Sequence, residues 1–227
     1  MISGRTRLVA LIGHPVAESL SPRMQNAAFA ARGLDWAYVA LDVPRPRLAS
    51  AVEGLAAAGF AGANVTAPYK IEVLDLCETD APSVNTLVFE EAHIHGESTD
   101  AAVLAGLEWS RPAIVGAGGA ARAFAAALGD ARTFSRRGDW PPDAHDADLV
   151  VHATPVRDEV VVGVREGQTL VDLPYPGSAT ASAAREAGAT VIDGLDVLVA
   201  QGAASFELWT GVPAPVEVMR AAVRSSP

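Results

Sequence analysis

Cysteine, aromatic residues and long apolar runs are scarce in this sequence. A single cysteine, Cys77, leaves no partner within the chain for a disulfide, which is typical of a protein from the reducing cytoplasm. No apolar run approaches the ~20 residues that a membrane-spanning helix needs, so we expect no membrane association. The apolar run at residues 8–12 is too short for the core of a signal peptide.

Positive charge is also in deficit, with 17 Lys and Arg residues against 27 Asp and Glu residues and a formal net charge of −10. A chain this acidic is a poor candidate for nucleic-acid binding, because phosphate backbones attract basic surfaces. An anionic small molecule would have to be held by local hydrogen-bond donors. Half of the 227 residues are hydrophobic and only 19 % are charged, so we expect an ordered chain of one large or two small domains.

The N-terminal part of the chain alternates between predicted strands and helices. Strands are predicted at residues 8–12, 36–43 and 62–66, with a hairpin at residues 84–90 and 93–97. Helices are predicted at residues 21–32, with Ser21 as N-cap and Pro22 at the first helical position, at residues 48–58, and from residues 68–70 onward. This alternation favours an α/β fold with a mostly parallel sheet.

A second unit is predicted to begin near Thr99. Its predicted helices lie at residues 100–109, 120–128, 179–186 and 196–210. Its predicted strands lie at residues 113–115, 131–134, 149–152, 169–173 and 191–192. Residues 138–146 are rich in Pro and Asp and are interpreted as a surface loop. The second unit is therefore also predicted to be α/β.

A glycine-rich motif with G-x-G-x-x-A spacing follows a predicted strand directly and opens a predicted helix. It consists of Gly116, Ala117, Gly118, Gly119, Ala120 and Ala121. In dinucleotide-binding domains the first glycine permits a tight turn and the second lets backbone amides approach the pyrophosphate. The helix N-terminus adds oriented N–H groups and partial positive charge. A tight turn without a ligand is the alternative, but the strand–helix context favours a dinucleotide site.

The residues after the next predicted strand indicate which dinucleotide would bind. These residues are Ser135, Arg136 and Arg137. An NAD site usually carries an acidic residue about 20 positions after the motif, whereas guanidinium groups suit the 2′-phosphate of NADP. A solvated basic loop is the alternative, and the nearby Asp139 weakens the assignment slightly. We predict NADP as the cofactor. We predict no metal, because His93 and His95 lack an evident third ligand.

Polar residues that could carry chemistry lie near the ends of the first predicted strands. Thr66 and Lys70 follow the third strand, and open α/β sheets bind ligands at the carboxyl ends of their strands. A lysine there can move protons when an acid pairs with it, and Asp100 offers that acid. Ser19 and Ser21 present hydroxyl groups at a helix N-terminus, which can hold a carboxylate. Each feature alone also fits a helix cap or a surface charge.

The order and spacing of these motifs resemble the shikimate dehydrogenase family over nearly the whole chain. Any one motif could arise by chance, whereas the full set in register is hard to obtain otherwise. The motifs are Ser-Leu-Ser-Pro at 19–22, Gly-Ala-Asn-Val-Thr at 62–66, Pro-Tyr-Lys at 68–70, Val-Asn-Thr at 84–86, Ser-Thr-Asp at 98–100, the glycine motif, Ala-Thr at 153–154, Asp-Gly-Leu at 193–195 and the block at 201–211.

The resemblance implies an α/β substrate domain with a mostly parallel sheet, a Rossmann-like NADP-binding domain, and a cleft between them. The substrate domain would comprise residues 1–99 and 200–227, and the cofactor domain residues 100–199. The implied reaction is the reversible NADP-dependent reduction of 3-dehydroshikimate to shikimate on the route to chorismate and the aromatic amino acids. The enzyme would be a cytoplasmic monomer or homodimer.

The resemblance also implies roles for individual residues. Lys70 and Asp100 would form the catalytic pair. The substrate would be bound by Ser19, Ser21, Thr66, Asn85, Tyr175 and Gln201. The cofactor would be bound by the glycine motif, Ser135, Arg136, Arg137, Thr154 and Gly194, with Arg136 at the 2′-phosphate.

Several features depart from the family pattern. The chain is shorter than the family, with fewer residues after Lys70 and an abbreviated segment at residues 155–159. Val197 replaces a family methionine, and His152 replaces an asparagine. Two other functions stay open: a dehydrogenase of quinate or a related polyol acid, and a homologue that binds ligand or dinucleotide without turnover. The presence of both Lys70 and Asp100 favours an enzyme, because a sensor needs no proton transfer.

Overall fold

The structure is a computed structural model that describes residues 2–225. The chain divides into two compact units. The first unit comprises the residues up to Thr99 together with those from Val199 onward, and the second unit comprises Asp100–Leu198. Each unit is built on its own five-stranded sheet.

The sheet of the first unit combines parallel and antiparallel strands. Its strands are β1 (Arg7–Gly13), β2 (Trp36–Asp42), β3 (Gly62–Val65), β4 (Thr86–Glu90) and β5 (His93–Glu97). They lie in the order β2-β1-β3-β4-β5, with β1 parallel to β2 and β3. The hairpin of β4 and β5 extends the sheet in the antiparallel sense from β3. β1 lies between β2 and β3 and is buried from Val9 to Ile12, which explains its uninterrupted apolar sequence.

Helices α1 (Ser21–Ala31) and α2 (Leu48–Ala57) belong to the same unit. Val52 of α2 packs with Ile12 and Tyr69 in one hydrophobic cluster of the first unit. All three side chains are fully buried. Burial of large apolar side chains is the main stabilising contribution in such a layer, at roughly 1.5–3 kcal/mol for each.

The sheet of the second unit is fully parallel. Its strands β6 (Pro112–Val115), β7 (Arg132–Phe134), β8 (Leu149–His152), β9 (Thr169–Asp172) and β10 (Thr190–Ile192) lie in the order β10-β9-β8-β6-β7. Helix α3 (Gly119–Leu128) connects β6 to β7, and α4 (Ala179–Glu186) connects β9 to β10. The strand order reverses at β6. In open α/β sheets such a switch point is where ligands bind.

Two strand connections of the second unit contain no helix. Residues 135–148 join β7 to β8, and residues 153–168 join β8 to β9. Parallel strands are usually joined by a helix that also covers the sheet. Here one face of the sheet is covered by α4 and by apolar side chains of the two connections. These side chains are Ala144, Ala147, Val161, Val162 and Val164.

Two helices complete the chain, α5 (Gly194–Thr210) and α6 (Val216–Arg224). Asp193 caps α5, because its carboxylate accepts two backbone hydrogen bonds from the first turn at 3.0 Å each. Within the first unit, Phe206 of α5 stacks on Phe29 of α1 with ring centroids 5.3 Å apart. Among residues 2–225, no helix combines the length and apolar character that crossing a bilayer demands.

The α/β class with mostly parallel strands is confirmed, but the predicted N-cap of α1, Ser21, is wrong. α1 begins at Ser21 itself, with Leu20 in the N-cap position and no side-chain cap hydrogen bond. The hydroxyl of Ser19 instead accepts a hydrogen bond from the N–H of Ser21 at 3.3 Å. Pro22 still lies in the first turn, where its missing N–H has no helical partner to lose.

Two predicted helices are also wrong in extent. Residues 68–70 form turns, because the carbonyl of Lys70 is taken by the N–H of Val84 at 2.8 Å, and only a 3-10 helix follows at Glu72–Leu76. The predicted helix at residues 100–109 is reduced to a 3-10 helix at Asp100–Leu104. Gly106, with a φ of +82°, ends helical geometry there. α6 lies outside the predicted elements.

Candidate functional site

The carboxyl ends of β1 and β3 form one edge of the first unit's sheet. Ile12 of β1 pairs with Val65 of β3, so the segments that follow both strands start side by side. Four of the predicted site residues lie in these segments or at the start of α1. They are Ser19, Ser21, Thr66 and Lys70.

Asn85 lies directly before β4, at the same edge of the sheet. Its carbonyl accepts a hydrogen bond from the N–H of Val65 at 2.9 Å, because β4 runs antiparallel to β3 and starts where β3 ends. The Asn85 side chain accepts from the N–H of Thr99 at 2.7 Å and donates to Oε1 of Gln201 at 3.3 Å. The structure therefore brings together Asn85 and Gln201, which are 116 positions apart in sequence.

A buried polar network lies beneath this edge, and no predicted role covers its members. The amide nitrogen of Asn64 donates to the hydroxyls of Ser205 at 3.0 Å and Thr86 at 3.1 Å. The amide oxygen of Asn64 accepts from the hydroxyl of Tyr38 at 2.8 Å. Buried polar groups are costly unless they are paired, so this network fixes α5 against β3 and β4 and thereby positions Gln201. An asparagine inside an otherwise apolar strand was the available sequence signal.

Lys70 is the only lysine of the chain, since every other residue among the 17 Lys and Arg residues is an arginine. Its side chain is half-buried, and its carbonyl is anchored by Val84. The predicted partner, Asp100, is 5 % exposed and begins a 3-10 helix of the second unit. Arginine stays protonated in proteins, whereas lysine can release a proton. The one lysine thus stands at the position where proton transfer was predicted.

The glycine motif forms the turn between β6 and α3. Gly116 has a φ of +141°, and a Cβ there would lie 2.6 Å from the carbonyl oxygen of Ala153, so only glycine fits. Gly118 is the N-cap of α3, and a Cβ on it would meet nothing within 4 Å. The positive end of the α3 dipole therefore lies at an open turn, which suits a pyrophosphate. Ala121 is buried and allows close packing of helix on strand.

A cavity of about 440 Å³ opens beside this turn. The predicted cofactor residues in its lining are Gly116, Ala117, Gly118, Ser135, Arg136, Arg137 and Thr154. Trp140, Val156 and Val161 also line it, and they come from the two connections that lack a helix. No motif marks these three residues in the sequence. The lining offers hydrogen-bond donors, cationic groups and apolar surface, which together fit a phosphorylated dinucleotide.

Thr154 is held at the cavity wall by buried groups behind it. Its hydroxyl lies 2.7 Å from Nε2 of His152, and Nδ1 of His152 donates to Asp172 at 2.6 Å. The hydroxyl of Ser178 donates to both carboxylate oxygens of Asp172 at 2.9 Å. His152 and Asp172 are fully buried. His152 thus acts here as a link in a hydrogen-bond chain that fixes the Thr154 side chain.

Arg136 is engaged by two side chains of the second unit. Its Nη2 donates to Oε1 of Glu159 at 2.8 Å, and its guanidinium carbon lies 5.5 Å from the ring centroid of Trp140. Both members of the ion pair are mostly exposed, at 65 % for Arg136 and 62 % for Glu159. The sequence contains no signal for this pair, which joins residues from two irregular segments.

Gly194 and Tyr175 lie near the carboxyl end of β9. A Cβ on Gly194 would lie 2.5 Å from the carbonyl oxygen of Pro174, so α5 starts in direct contact with the segment that follows β9. Tyr175 belongs to that segment and is half-buried. Glycine at the start of α5 is therefore required by close backbone approach.

No group of three His, Cys, Asp or Glu side chains within residues 2–225 is placed to hold a metal ion. His93 and His95 stack with ring centroids 5.8 Å apart on the edge strand β5. Nδ1 of His93 lies 2.7 Å from Oε1 of Glu78, and this hydrogen bond raises the pKa of His93. The arrangement is an ion pair at the edge of a sheet.

Comparison with known proteins identifies the family. Residues 11–87 match the shikimate dehydrogenase substrate binding domain, and residues 194–224 match the shikimate 5′-dehydrogenase C-terminal domain. The shikimate dehydrogenase (NADP(+)) of Anaeromyxobacter sp. (strain Fw109-5) is 41 % identical over 272 aligned residues, which cover 98 % of each chain. The chain belongs to the shikimate dehydrogenase family. The predicted resemblance is confirmed.

Solved structures give the same result. A shikimate dehydrogenase in complex with NADP⁺ is 32 % identical and superposes with a TM-score of 0.89 over 98 % of this chain and 96 % of the other. Shikimate 5-dehydrogenase from Thermus thermophilus, in complex with NADP(H) and shikimate, is 30 % identical with a TM-score of 0.84, over 96 % of this chain and 98 % of the other. The names of these relatives agree with the predicted enzyme class and cofactor.

The family alignment also accounts for the short length of this chain. The alignment with the Anaeromyxobacter enzyme extends over 272 positions and covers 98 % of both proteins, although this chain has 227 residues. The alignment therefore contains gaps in this chain, and the relative carries internal segments that this chain lacks. Connections without a helix, such as residues 135–148 and 153–168, are a compact way to join parallel strands.

Proposed function

We propose that this chain is a cytoplasmic shikimate dehydrogenase that catalyses the reversible NADP-dependent reduction of 3-dehydroshikimate to shikimate. The observation that carries the proposal is the position of Lys70 at the carboxyl edge of the first unit's sheet. Lys70 is the sole lysine of the chain, whose other Lys and Arg residues are all arginine. A lysine retained there alone is explained by a reaction that requires a proton to be given and taken back. Family membership over nearly the full chain supports the same reaction.

The first unit is proposed to bind the substrate. Ser19 and Ser21 would donate their hydroxyl protons to the substrate carboxylate, an arrangement that needs no countercharge. The Ser19 oxygen already accepts the N–H of Ser21, so its own proton is available for donation. Thr66, Asn85 and Gln201 would hydrogen-bond the ring hydroxyls, and the contact between Asn85 and Gln201 supports a shared partner. Tyr175 would reach the substrate from the cofactor domain.

The second unit is proposed to bind NADP. The amides at the start of α3 and the glycine motif would hold the pyrophosphate, and Ser135, Arg136 and Arg137 would hold the 2′-phosphate. Thr154 would hydrogen-bond the dinucleotide from the cavity wall, and Gly194 would lie near the nicotinamide. The bound nicotinamide supplies the hydride. Domain boundaries at residues 1–99 with 200–227, and at residues 100–199, are part of this proposal.

Lys70 and Asp100 are the proposed catalytic pair. In the reduction, the ammonium group of Lys70 donates a proton to the ketone oxygen as that oxygen acquires negative charge. In the oxidation, neutral Lys70 accepts the hydroxyl proton. Asp100 orients Lys70 and one ring hydroxyl. A positioned general acid of this kind contributes roughly 10²–10⁴-fold to the rate.

Turnover of Lys70 variants tests the proposal. NADP reduction by the purified protein with shikimate is followed by absorbance, with NAD and quinate tried in parallel. We expect Lys70→Ala to lower kcat by roughly 10²–10⁴-fold with the NADP affinity unchanged. Lys70→Arg is the matched control for charge, and it should be as inactive as Lys70→Ala because a guanidinium does not release its proton.

Three outcomes would contradict the proposal. Turnover of Lys70→Ala at the wild-type rate would remove Lys70 from the chemistry. Quinate oxidised faster than shikimate would change the substrate. Binding of shikimate and NADP by the wild type without any turnover would favour a non-catalytic homologue.

A further inference from the structure

The ion pair between Arg136 and Glu159 lies where the proposed function places the 2′-phosphate of NADP. Arg136 lines the cavity beside the glycine motif, and its guanidinium is shared between Glu159 at 2.8 Å and the face of Trp140. A cation held by a carboxylate and an aromatic face is both neutralised and oriented. An incoming phosphate therefore meets an arginine that already has an anionic partner.

Glu159 is held in place by the fold on both sides. On its C-terminal side, Val161 is buried and its N–H donates to the hydroxyl of Thr180 at 2.9 Å. On its N-terminal side, the carbonyl of Arg157 accepts the N–H of Ala179 at 2.7 Å. The segment that carries Glu159 is thus anchored two residues before and two residues after it. These anchors hold the backbone of residue 159 where its carboxylate reaches Arg136.

The ion pair of Arg136 and Glu159 is affected differently by NADP and NAD, because the two dinucleotides differ in charge at this position. A phosphate monoester carries about −1.5 to −2 charges near pH 7 and can displace a single carboxylate from a guanidinium whose ion pair is exposed to solvent. After displacement, the anchored Glu159 stays close and repels the phosphate. NAD carries a hydroxyl at this position, which leaves the ion pair intact, and a carboxylate is the usual acceptor for that hydroxyl.

We propose that Glu159 is a specificity-determining residue, which competes with the 2′-phosphate for Arg136 and so narrows the difference in affinity between NADP and NAD. The inference rests on the proposed function, because it takes the cavity of the second unit as the dinucleotide site. It does not depend on which substrate is oxidised. Binding measurements therefore test it separately from turnover.

The test is a comparison of Glu159→Gln with the wild-type protein. Glutamine keeps the size of the side chain and removes its charge. Asp158→Asn is the matched control, because it removes the same charge from the adjacent exposed position of the same segment. Dissociation constants of NADP⁺ and NAD⁺ are measured by isothermal titration calorimetry at low and high ionic strength.

We expect Glu159→Gln to lower the dissociation constant of NADP⁺ by about 3–10-fold relative to the wild type. The dissociation constant of NAD⁺ should stay within about 2-fold of the wild-type value or rise. Asp158→Asn should change both constants by less than about 2-fold. The effect of Glu159→Gln should shrink between about 20 mM and about 500 mM salt, since exposed charges are screened. In an Arg136→Ala background, Glu159→Gln should have less effect on NADP⁺ than it has beside Arg136.

An unchanged ratio of NADP⁺ to NAD⁺ affinity in Glu159→Gln would overturn the inference while leaving the proposed function intact. Weaker NADP⁺ binding in that variant would also overturn it, because Glu159 would then organise Arg136 for the phosphate. An equal effect of Asp158→Asn would also overturn it, since the change in affinity would then be caused by the net charge of the segment. A wild-type protein that bound neither dinucleotide would overturn the proposed function and this inference with it.

Discussion

Replacement of Asp172 by asparagine is expected to destabilise the second unit. The Asp172 carboxylate is fully buried and accepts hydrogen bonds from Nδ1 of His152 and from the hydroxyl of Ser178. Asparagine has nearly the same shape, so the change alters hydrogen bonding and charge without opening a cavity. Oδ1 would still accept from both donors but without its negative charge, and an amide N–H would stand where the second oxygen accepts from Ser178.

The size of the effect follows from the partners that are lost. A hydrogen bond to a charged group contributes about 1.5–3 kcal/mol, and a buried donor without an acceptor costs about 1–3 kcal/mol. Since both hydrogen bonds to Oδ1 lose a charged acceptor and a buried amide N–H replaces the other oxygen, we expect the free energy of unfolding to fall by about 3 kcal/mol. For a protein of this length that corresponds to a decrease in Tm of roughly 6–12 °C.

Urea denaturation followed by tryptophan fluorescence measures the change. Trp109 and Trp140 lie in the second unit and report on it. Asp158→Asn is the control, because the same substitution at an exposed site should change the unfolding free energy by less than about 0.5 kcal/mol. A midpoint for Asp172→Asn equal to that of the control would refute the reasoning, since it would mean that the buried carboxylate contributes nothing net.

Two further predictions concern the glycine turn and the cysteine. Gly116→Ala should weaken NADP binding by at least about 10-fold and lower the free energy of unfolding by about 1–3 kcal/mol, because Gly116 has a φ of +141° and a Cβ there would collide with Ala153. Gly118→Ala is the control: a Cβ at Gly118 meets nothing within 4 Å, so the free energy of unfolding should be unchanged. Burial raises the pKa of the Cys77 thiol from 9.0 to about 11, so its alkylation at pH 8 should be roughly 100-fold slower in the folded than in the urea-unfolded protein, and equal rates by mass spectrometry would contradict this. Because the folded-state pKa is the higher one, the contribution of this thiol to stability is complete below pH 9 and is lost as the pH rises toward 11.

Features with a local backbone requirement could be predicted from the sequence. The glycine motif was predictable because a tight turn after a strand needs a residue such as Gly116, whose φ is +141°. β1 was predictable because a strand buried on both faces has an uninterrupted apolar sequence. The strand–helix alternation predicted the α/β class in the same way.

Features that depend on distant partners could not be predicted. Asn64 bonds to Ser205, which is 141 positions away, and Arg136 bonds to Glu159 across two irregular segments. The apolar strand around Asn64 indicates that its side chain is buried, but nothing local identifies its partner, and nothing local marks Arg136 and Glu159 as a pair. The turns at residues 68–70 replace a predicted helix for the same reason, because a hydrogen bond from the distant Val84 takes the carbonyl that a helix would need.

The connection between β8 and β9 serves two purposes with one short stretch of chain. Its inward side chains, including Val162 and Val164, complete the hydrophobic layer over the sheet, while Val156 and Val161 form part of the cavity wall. A segment built in this way cannot be exchanged as a separate module, because a graft that alters the wall also removes part of the core. Between Val156 and Val161, residues 157–160 are all exposed and belong to neither the core nor the lining. Within this connection, cofactor preference can therefore evolve or be engineered without loss of core packing at these four exposed side chains, and Glu159 is one of them.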